Sequence, residues 1–204
     1  MGRYATIVAD PPWKTKAGPA SGDYKVVDGR QVWNLVSNRT RDLAYPTMTV
    51  EEISALPVGD LAAPDAHLYL WTTNGYLPRA FAVLQAWGFA YSTTLVWCKT
   101  PFGGGGLGGA WRITTEFLLF ARRGSLPARG YHIGTWFHDK RAYDDRGKPR
   151  HSSKPPNWQD RVEQVSPGPY LELFARSQRL GWDSWGNEAL NHVDLNSTNG
   201  VTIA

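Results

Sequence analysis

The sequence holds a single cysteine, Cys98, among 204 residues. One thiol excludes an internal disulfide and a cysteine-rich metal site. It lies in the apolar run from Leu95 and reads as a buried strand thiol in a reducing compartment. Long hydrophobic runs are missing too. Leu68 to Trp71 and Phe117 to Ala121 fall far below the roughly 18 residues of a membrane span. Ala5 to Ala9, cut off by Asp10, is too short for a signal-peptide core. The expectation is a cytoplasmic chain without a membrane partner. Met1, Gly2 and Thr6 meet a loose myristoylation pattern, but Thr6 belongs to the first strand, so lipidation is not expected. Excess charge is small: 22 Lys and Arg against 18 Asp and Glu give +4, which permits a polyanionic partner without arguing for one.

What is abundant is core material. Hydrophobic residues make up 42% of the chain, with 10 Trp, 9 Tyr and 7 Phe, far more than a disordered sequence carries. Length and composition fit one α/β domain, placed at residues 1–190, followed by a polar tail at 191–204 expected to fray.

Tyr4 to Ala9 reads as a buried strand stopped by Asp10-Pro11-Pro12. Residues 14–47 form a long polar connection expected to act as a lid. Thr49 and Glu52 have capping-box spacing ahead of a short helix. Ala66 to Trp71 reads as a strand, and Tyr76 to Trp87, closed by Gly88, as the clearest helix. Phe89 to Cys98 and Thr114 to Ala121 read as strands, Trp158 to Val165 as a helix, and Tyr170 to Ala175 as the last strand. The alternation favours a mostly parallel sheet covered on both faces.

The glycine-rich stretch 101–111 satisfies G-x-G-x-x-G twice, from Gly103 and from Gly104. A dinucleotide site needs a helix opening after those glycines. Here Trp111 and a strand follow, so that reading is rejected. Two readings remain: a hairpin-like connection, or a loop that moves over substrate, the second being favoured.

Asp10-Pro11-Pro12-Trp13 ends the first strand, where open α/β sheets bind ligands. Each proline has a fixed φ and restricts the residue before it, so the Asp10 carboxylate and the Pro11 carbonyl form a pair of preset acceptors. An amine on a purine or cytosine is a poor nucleophile because the ring delocalises its lone pair. Two acceptors holding its hydrogens let the nitrogen pyramidalise toward an electrophile. Trp13 would offer a stacking face for the base, worth about 1–3 kcal/mol in base-binding proteins. The competing reading is a diproline turn with Trp13 filling the core.

With that motif come Tyr45-Pro46-Thr47-Met48, Leu70-Trp71-Thr72-Thr73-Asn74, His151-Ser152-Ser153-Lys154-Pro155, Leu173-Phe174-Ala175-Arg176 and Trp185-Gly186-Asn187-Glu188. In this order, from about Tyr4 to Leu190, the chain resembles the family named after the seventy-kilodalton catalytic subunit of mRNA (N6-adenosine)-methyltransferase, in its compact bacterial and phage form. The resemblance implies a Rossmann-like S-adenosylmethionine-dependent methyltransferase sheet with helices on both faces and permuted motif order. It implies methyl transfer to the exocyclic amine of adenine, with Asp10, Pro11, Pro12 and Trp13 catalytic. Asp10 would lie between adenine and the cofactor, Lys154 would pair with the cofactor carboxylate, Arg176 would contact its ribose, and Asn187 and Glu188 would surround its adenine. Gln178 and Arg179 occupy adjoining ribose positions. Lys14 and Tyr45 would lie near the opening, and Arg112 and Glu116 near the target base, a cross-strand ion pair being the plainer reading for these last two. Glu172, inside a strand, is expected to find a nearby cation, a structural role being equally open. One departure stands out: larger members carry cofactor-adenine contacts upstream of the catalytic motif, and here nine residues precede Asp10.

Residues 137–154 carry six cations, including Lys140, Arg141 and Lys148, against three aspartates, and read as a basic loop facing phosphates. Arg122, Arg123 and Arg129 form a second basic cluster. A stacked duplex hides the adenine amine, so the substrate is single-stranded or the base is flipped out. The expectation is an adenine methyltransferase acting on DNA as a monomer or homodimer, without a metal. RNA, a cytosine amine, and a catalytically silent nucleic-acid-binding subunit are the alternatives.

Overall fold

The central strands are buried on both faces, their successive side chains entering two separate cores, and that division decides where the helices sit. The computed structural model describes residues 2–14, 24–33, 46–99, 107–108, 111–130, 133–140, 142, 153–156 and 158–195. In chain order the elements are β1 (Tyr4–Ala9), β2 (Tyr24–Val27), β3 (Arg30–Trp33), α1 (Val50–Ser54), α2 (Val58–Leu61), β4 (Ala62–Thr72), α3 (Leu77–Ala86) and β5 (Ala90–Lys99). There follow β6 (Leu107–Gly108), β7 (Trp111–Arg112), β8 (Thr115–Arg123), β9 (Trp136–Asp139), α4 (Trp158–Val165), β10 (Tyr170–Leu173) and β11 (Trp182–Trp185).

Seven strands form one sheet in the order β11-β10-β1-β4-β8-β5-β9. Successive side chains on a strand point to opposite faces. Ile7, Leu68, Leu70, Leu119, Leu171 and Leu173 accordingly join one core with Ile53, Val83 and Leu84 of the α1 and α3 layer. Val8, Tyr69, Trp71, Trp97 and Leu118 join the other with Trp158 and Val162 of α4. Both faces are thus covered, as expected. Trp71 is fully buried and meets Trp97 and Trp158 edge to face, at centroid distances of 6.1 and 5.9 Å, the geometry that the ring quadrupoles favour.

The sheet is parallel except around β8, which runs antiparallel to both β4 and β5. Both capping-box bonds form at α1: the Thr49 hydroxyl accepts the Glu52 N–H and the Glu52 carboxylate accepts the Thr49 N–H. α3 ends at Trp87, and Gly88 at φ +79° turns the chain out of the helix. β4 begins four residues before the expected Ala66.

Several expectations are corrected. Two strands of this sheet were not foreseen, β9 and β11 at its opposite edges, nor were β2, β3 and β6 outside it. β9 takes the start of the expected basic loop: Phe137 is a buried core residue, not a phosphate-facing one. Within the expected lid, β2 and β3 form a hairpin turned by Asp28 (φ +49°) and Gly29 (φ +73°), the left-handed pair a tight hairpin requires. Of the glycine-rich stretch, β6 pairs antiparallel with β7. The start of the tail is tied down: Leu195 is buried, and the His192 N–H donates to the Ser184 carbonyl at 2.8 Å. β10 stops two residues short of Ala175, because Phe174 takes φ +63°. Cys98 lies in β5 but is half-buried.

Candidate active site

Strand order runs outward in opposite directions from the neighbours β1 and β10, which leaves a crevice beyond their carboxyl ends. Asp10 opens that crevice. Its backbone N–H donates to the Leu173 carbonyl of β10 at 3.4 Å. The prolines then direct the chain sideways, and the turn is held by bonds on every side. The Trp13 N–H donates to the Pro11 carbonyl at 2.8 Å, the Met48 N–H to the Pro12 carbonyl at 2.8 Å, and the Lys14 N–H to the Met48 carbonyl at 3.1 Å. The i→i+2 bond fixes the direction of the Pro11 carbonyl and occupies one of its two lone pairs, leaving one for a ligand.

Trp13 departs from its expected role as an open stacking face. Only 5% of it is exposed, its ring stacks on Tyr76 at 5.2 Å, and its indole N–H donates to the Trp71 carbonyl at 3.0 Å. The ring anchors the turn to β4 and α3, and the Tyr76 hydroxyl reinforces it by donating to the Lys14 carbonyl. The diproline turn with a core-filling tryptophan describes the Trp13 side chain, while Asp10 and the Pro11 carbonyl remain beside a cavity.

Two adjoining cavities meet at Asp10. The first, about 180 Å³, is lined on one side by Pro46, Met48, Thr72 and Glu116, and on the other by Phe174, Trp185, Asn187 and Glu188. The second, about 480 Å³, is lined by Gln159, Glu172, Gln178 and Arg179. Asp10, Lys154, Phe174, Arg176 and Glu188 border both.

A line of alternating charge crosses the floor. Lys154 Nζ lies 2.7 Å from Asp10 Oδ1 and 3.3 Å from Glu116 Oε2, and Lys99 Nζ lies 2.5 Å from Glu116 Oε1. The Lys154 ammonium also sits 5.3 Å from the centre of the Trp71 ring. Burial opposes the charge on Lys154, but Asp10 and Glu116 more than offset it and hold the ammonium protonated. Burial likewise opposes the Glu116 charge, and Lys154 with Lys99 outweighs it, so this carboxyl titrates below its usual range. For Asp10 burial wins over Lys154, and the carboxyl is pushed up, toward the behaviour of a general base.

The other expected residues are placed as follows. Arg176 Nε lies 3.9 Å from Glu188 Oε1, both partly exposed at the rim. Asn187 lines the first cavity and Gln178 the second. Arg179 grips α4: its Nε and Nη2 hold the two carboxylate oxygens of Glu163 at 2.9 and 3.0 Å, and Nη2 reaches Asp160 at 2.5 Å. Its fork is committed to the fold. Glu172 meets an amide rather than the expected cation, accepting from Gln159 Nε2 at 3.2 Å. Glu116 pairs with Lys99 and Lys154, neither of them the Arg112 of the plainer reading, while also lining the first cavity. Lys14 is exposed just beyond the turn. Tyr45 and the Arg112 side chain lie outside the described residues, as do residues 143–152 of the basic loop.

Sequence reasoning missed Lys99, Thr72 and the role of Phe174. Lys99 ends β5 and Glu116 begins the antiparallel β8, so opposite charges at two strand ends were the available signal. Thr72 lines the first cavity with a buried hydroxyl that has no hydrogen-bond partner among the described residues. Phe174, in the left-handed region, packs edge-on against Trp185 at 5.3 Å. Strain of this kind, about 1–3 kcal/mol, persists where neighbours enforce it and clusters at binding sites. Among the described residues no group of three or more His, Cys, Asp or Glu is placed to hold a metal ion, and no helix is long and apolar enough to cross a membrane.

Residues 4–188 match the MT-A70 family. The chain is 31% identical over 199 residues to the Type II methyltransferase M.MunI of Mycoplasma sp, covering 91% of this chain and 78% of that protein. It is 28% identical over 204 residues to the human N(6)-adenine-specific methyltransferase METTL4, covering 94% of this chain and 39% of that one. It is 30% identical over 200 residues to the N6-methyladenosine RNA methyltransferase MTA1 of Cryphonectria parasitica, covering 90% of this chain and 51% of that one. The chain therefore spans about half or less of the last two relatives.

Proposed function

The chain belongs to the MT-A70 family and is a methyltransferase acting on adenine, and from that premise we propose that it methylates the exocyclic N6 amine of adenine in DNA, with S-adenosylmethionine as methyl donor. The observation that carries the reading is the pair of acceptors at the end of β1: a half-buried Asp10 carboxylate, 25% exposed, and a Pro11 carbonyl with a free lone pair, facing a shared cavity.

The residues present fit the donor. Lys154 supplies a cation for its carboxylate, Arg176 a donor for its ribose, Asn187 and Glu188 polar groups for its adenine, and Phe174 with Trp185 forms an aromatic corner. When bound, S-adenosylmethionine supplies a methyl group on a positively charged sulfur, ready to leave to a nucleophile. Everything else falls to this chain. Asp10 and the Pro11 carbonyl each accept one hydrogen of the amine, so that its lone pair leaves the ring plane. The raised pKa of Asp10 suits it to take the surplus proton as the nitrogen acquires its new bond. Lys154 orients that carboxylate, and Glu116, itself held by Lys99, keeps Lys154 in place.

DNA is favoured because M.MunI, 78% of whose length is covered, is a Type II methyltransferase. The match to an RNA methyltransferase supports RNA as the second reading. The test is incubation with labelled S-adenosylmethionine and matched DNA and RNA oligonucleotides, followed by nucleoside analysis. Label in N6-methyldeoxyadenosine is expected. Label in cytosine refutes the adenine assignment, and label only in RNA reverses the substrate choice.

A further inference from the structure

Trp111 is 85% exposed, more than any other aromatic side chain among the described residues. Its position in the β6–β7 pair explains the openness. Trp111 lies opposite Gly108, which has no side chain to cover the ring, and six of the eight residues from 103 to 110 are glycine. Trp136, exposed by 62%, at least packs edge-on against His138 at 5.4 Å. No such ring contact holds Trp111 among the described residues. An indole left in water forgoes the stabilisation that burial would supply. Cover for the facing glycine, the plain structural role, would leave the ring far less open.

The β6–β7 pair is rooted at the end of the sheet that carries Asp10. Because β8 runs antiparallel, its first residue, Thr115, lies beside Cys98 near the end of β5, and Phe117 lies beside Thr72 at the end of β4. The Lys99 N–H donates to the Thr114 carbonyl at 2.9 Å, and Asn74 Nδ2 donates to the Thr115 carbonyl at 3.2 Å. These bonds tie the root to β5 and to the loop after β4. Five residues beyond Trp111, Glu116 lines the first cavity. Five residues of fully extended chain span at most about 18 Å, and successive bases of one strand stack about 3.4 Å apart. Trp111 therefore stands within a few nucleotides of a base held in that cavity.

We propose that Trp111 is the stacking platform for a base of the substrate strand that flanks the target adenine. The assignment rests on the functional reading above and adds to it a contact outside the reacting site. An adenine drawn into the cavity leaves its neighbours without a stacking partner. The catalytic turn does not replace that partner: Trp13 is 5% exposed and stacked on Tyr76 at 5.2 Å. Phe174 and Trp185 are engaged with each other at 5.3 Å. Trp111 is the open aromatic face near the cavity among the described residues. Every base has a flat face, so stacking on an indole tolerates any flanking sequence. It also pairs with no phosphate, so its contribution is indifferent to salt.

The experiment is steady-state methyl transfer from S-adenosylmethionine to plasmid DNA, native and heat-denatured, over a range of salt. It compares the full chain with its Trp111→Ala, Trp111→Phe and Trp111→Leu variants. Trp111→Ala should raise KM for DNA about fivefold or more, the loss of one stacked base, with a smaller change in kcat and an unchanged Kd for S-adenosylhomocysteine. Trp111→Phe should recover most of that loss. Trp111→Leu, which keeps apolar bulk without a π-face, should recover little. The slope of log kcat/KM against log salt should be the same in all four proteins, whereas a lost phosphate contact makes it shallower. An unchanged KM in Trp111→Ala overturns the assignment. So does a leucine variant as good as the phenylalanine one, or a shallower salt slope. A loss accompanied by weaker S-adenosylhomocysteine binding, or by a changed oligomeric state in light scattering, overturns it in favour of a structural or subunit-contact role. If the wild type transfers no label to either form of DNA, the functional reading falls, and this assignment with it.

Discussion

Two turns leave the sheet side by side at the site, after β1 and after β10, and they are held by different means. The first is fixed covalently: two prolines leave Asp10 and Pro11 few conformations, and Trp13 pins the exit. The second carries no proline. Phe174 occupies φ +63°, a region costly to bulky residues, and it stays there because Trp185 and the neighbouring backbone hold it. The turn that presents the chemistry is prepaid in the chain itself, whereas the turn that borders the cofactor cavity depends on packing. The reacting groups therefore keep their geometry when the site is empty, and the wall of the cofactor cavity is where disturbance of packing should be felt.

The largest expected break of this contrast is Asp10→Ala, which removes a reacting group without touching the turn's supports. Transfer should fall by about 10²–10³ or more, the scale of losing one preorganised transition-state partner, with an unchanged circular dichroism spectrum. Undiminished activity in this variant would sink the mechanism. Lys154→Ala comes next. It strands Asp10 and Glu116 without their shared cation, a loss of about 3 kcal/mol for a largely buried pair, alongside weaker cofactor binding. The sign with pH follows from Glu116, whose carboxyl is held low in the folded state. Its contribution is present above the unfolded value and lost as pH falls through the folded one. Urea midpoints of wild type and variant should therefore lie far apart at pH 7 and converge only as pH falls below the ordinary glutamate value.

Pro12→Ala sharpens the comparison by loosening only the covalent turn. Activity should drop about tenfold or more, since small misplacements are amplified in rate, while stability changes by only about 0.4–1 kcal/mol. Phe174→Gly addresses the other turn. It relieves the left-handed strain, about 1–3 kcal/mol, but discards the contact with Trp185. Stability should therefore move little, while the Kd for S-adenosylhomocysteine rises with kcat at saturation nearly intact. A kcat loss larger than that of Pro12→Ala would reverse the assignment of roles. The smallest effect is remote from both turns. His67 is buried, with its ring nitrogens 2.7 Å from the Ser166 hydroxyl and 3.0 Å from the Leu126 carbonyl, and burial lowers its pKa. The unfolded chain then binds the proton more readily, so stability should decline as pH falls below the ordinary histidine value, and His67→Gln should remove that slope.

The covalent turn was legible in the sequence because proline acts through its own ring. So were α1, through Thr49 and Glu52, and α3, through its period and Gly88. β9 and β11 were not: Trp136–Asp139 and Trp182–Trp185 are four residues each and carry aspartate beside tryptophan, so no apolar run marks them. Trp13 illustrates a second limit. Sequence offered both an exposed stacking face and a buried plug, and the choice turned on Tyr76 and the Trp71 carbonyl, some sixty residues away. Glu172 illustrates a third: that a charged residue on β10 needs company could be read, but whether Gln159 or a cation provides it depends on which residue of α4 faces it. The antiparallel course of β8 was implicit in a hairpin-like reading of 101–111, since a hairpin joins strands of opposite direction.

The return of the chain after β11 acts as a clasp. The Gly186 N–H donates to Asn191 Oδ1, the Ser184 hydroxyl to the Leu190 carbonyl, and the Ser184 N–H to His192 Nδ1. Asn187 and Glu188 are thereby strung across a closed span. A chain cut after Leu190 would retain the whole family-matched stretch, residues 4–188, yet leave this span tied back by the Ser184–Leu190 bond alone, so the minimal active length is set by residues that motif comparison leaves out.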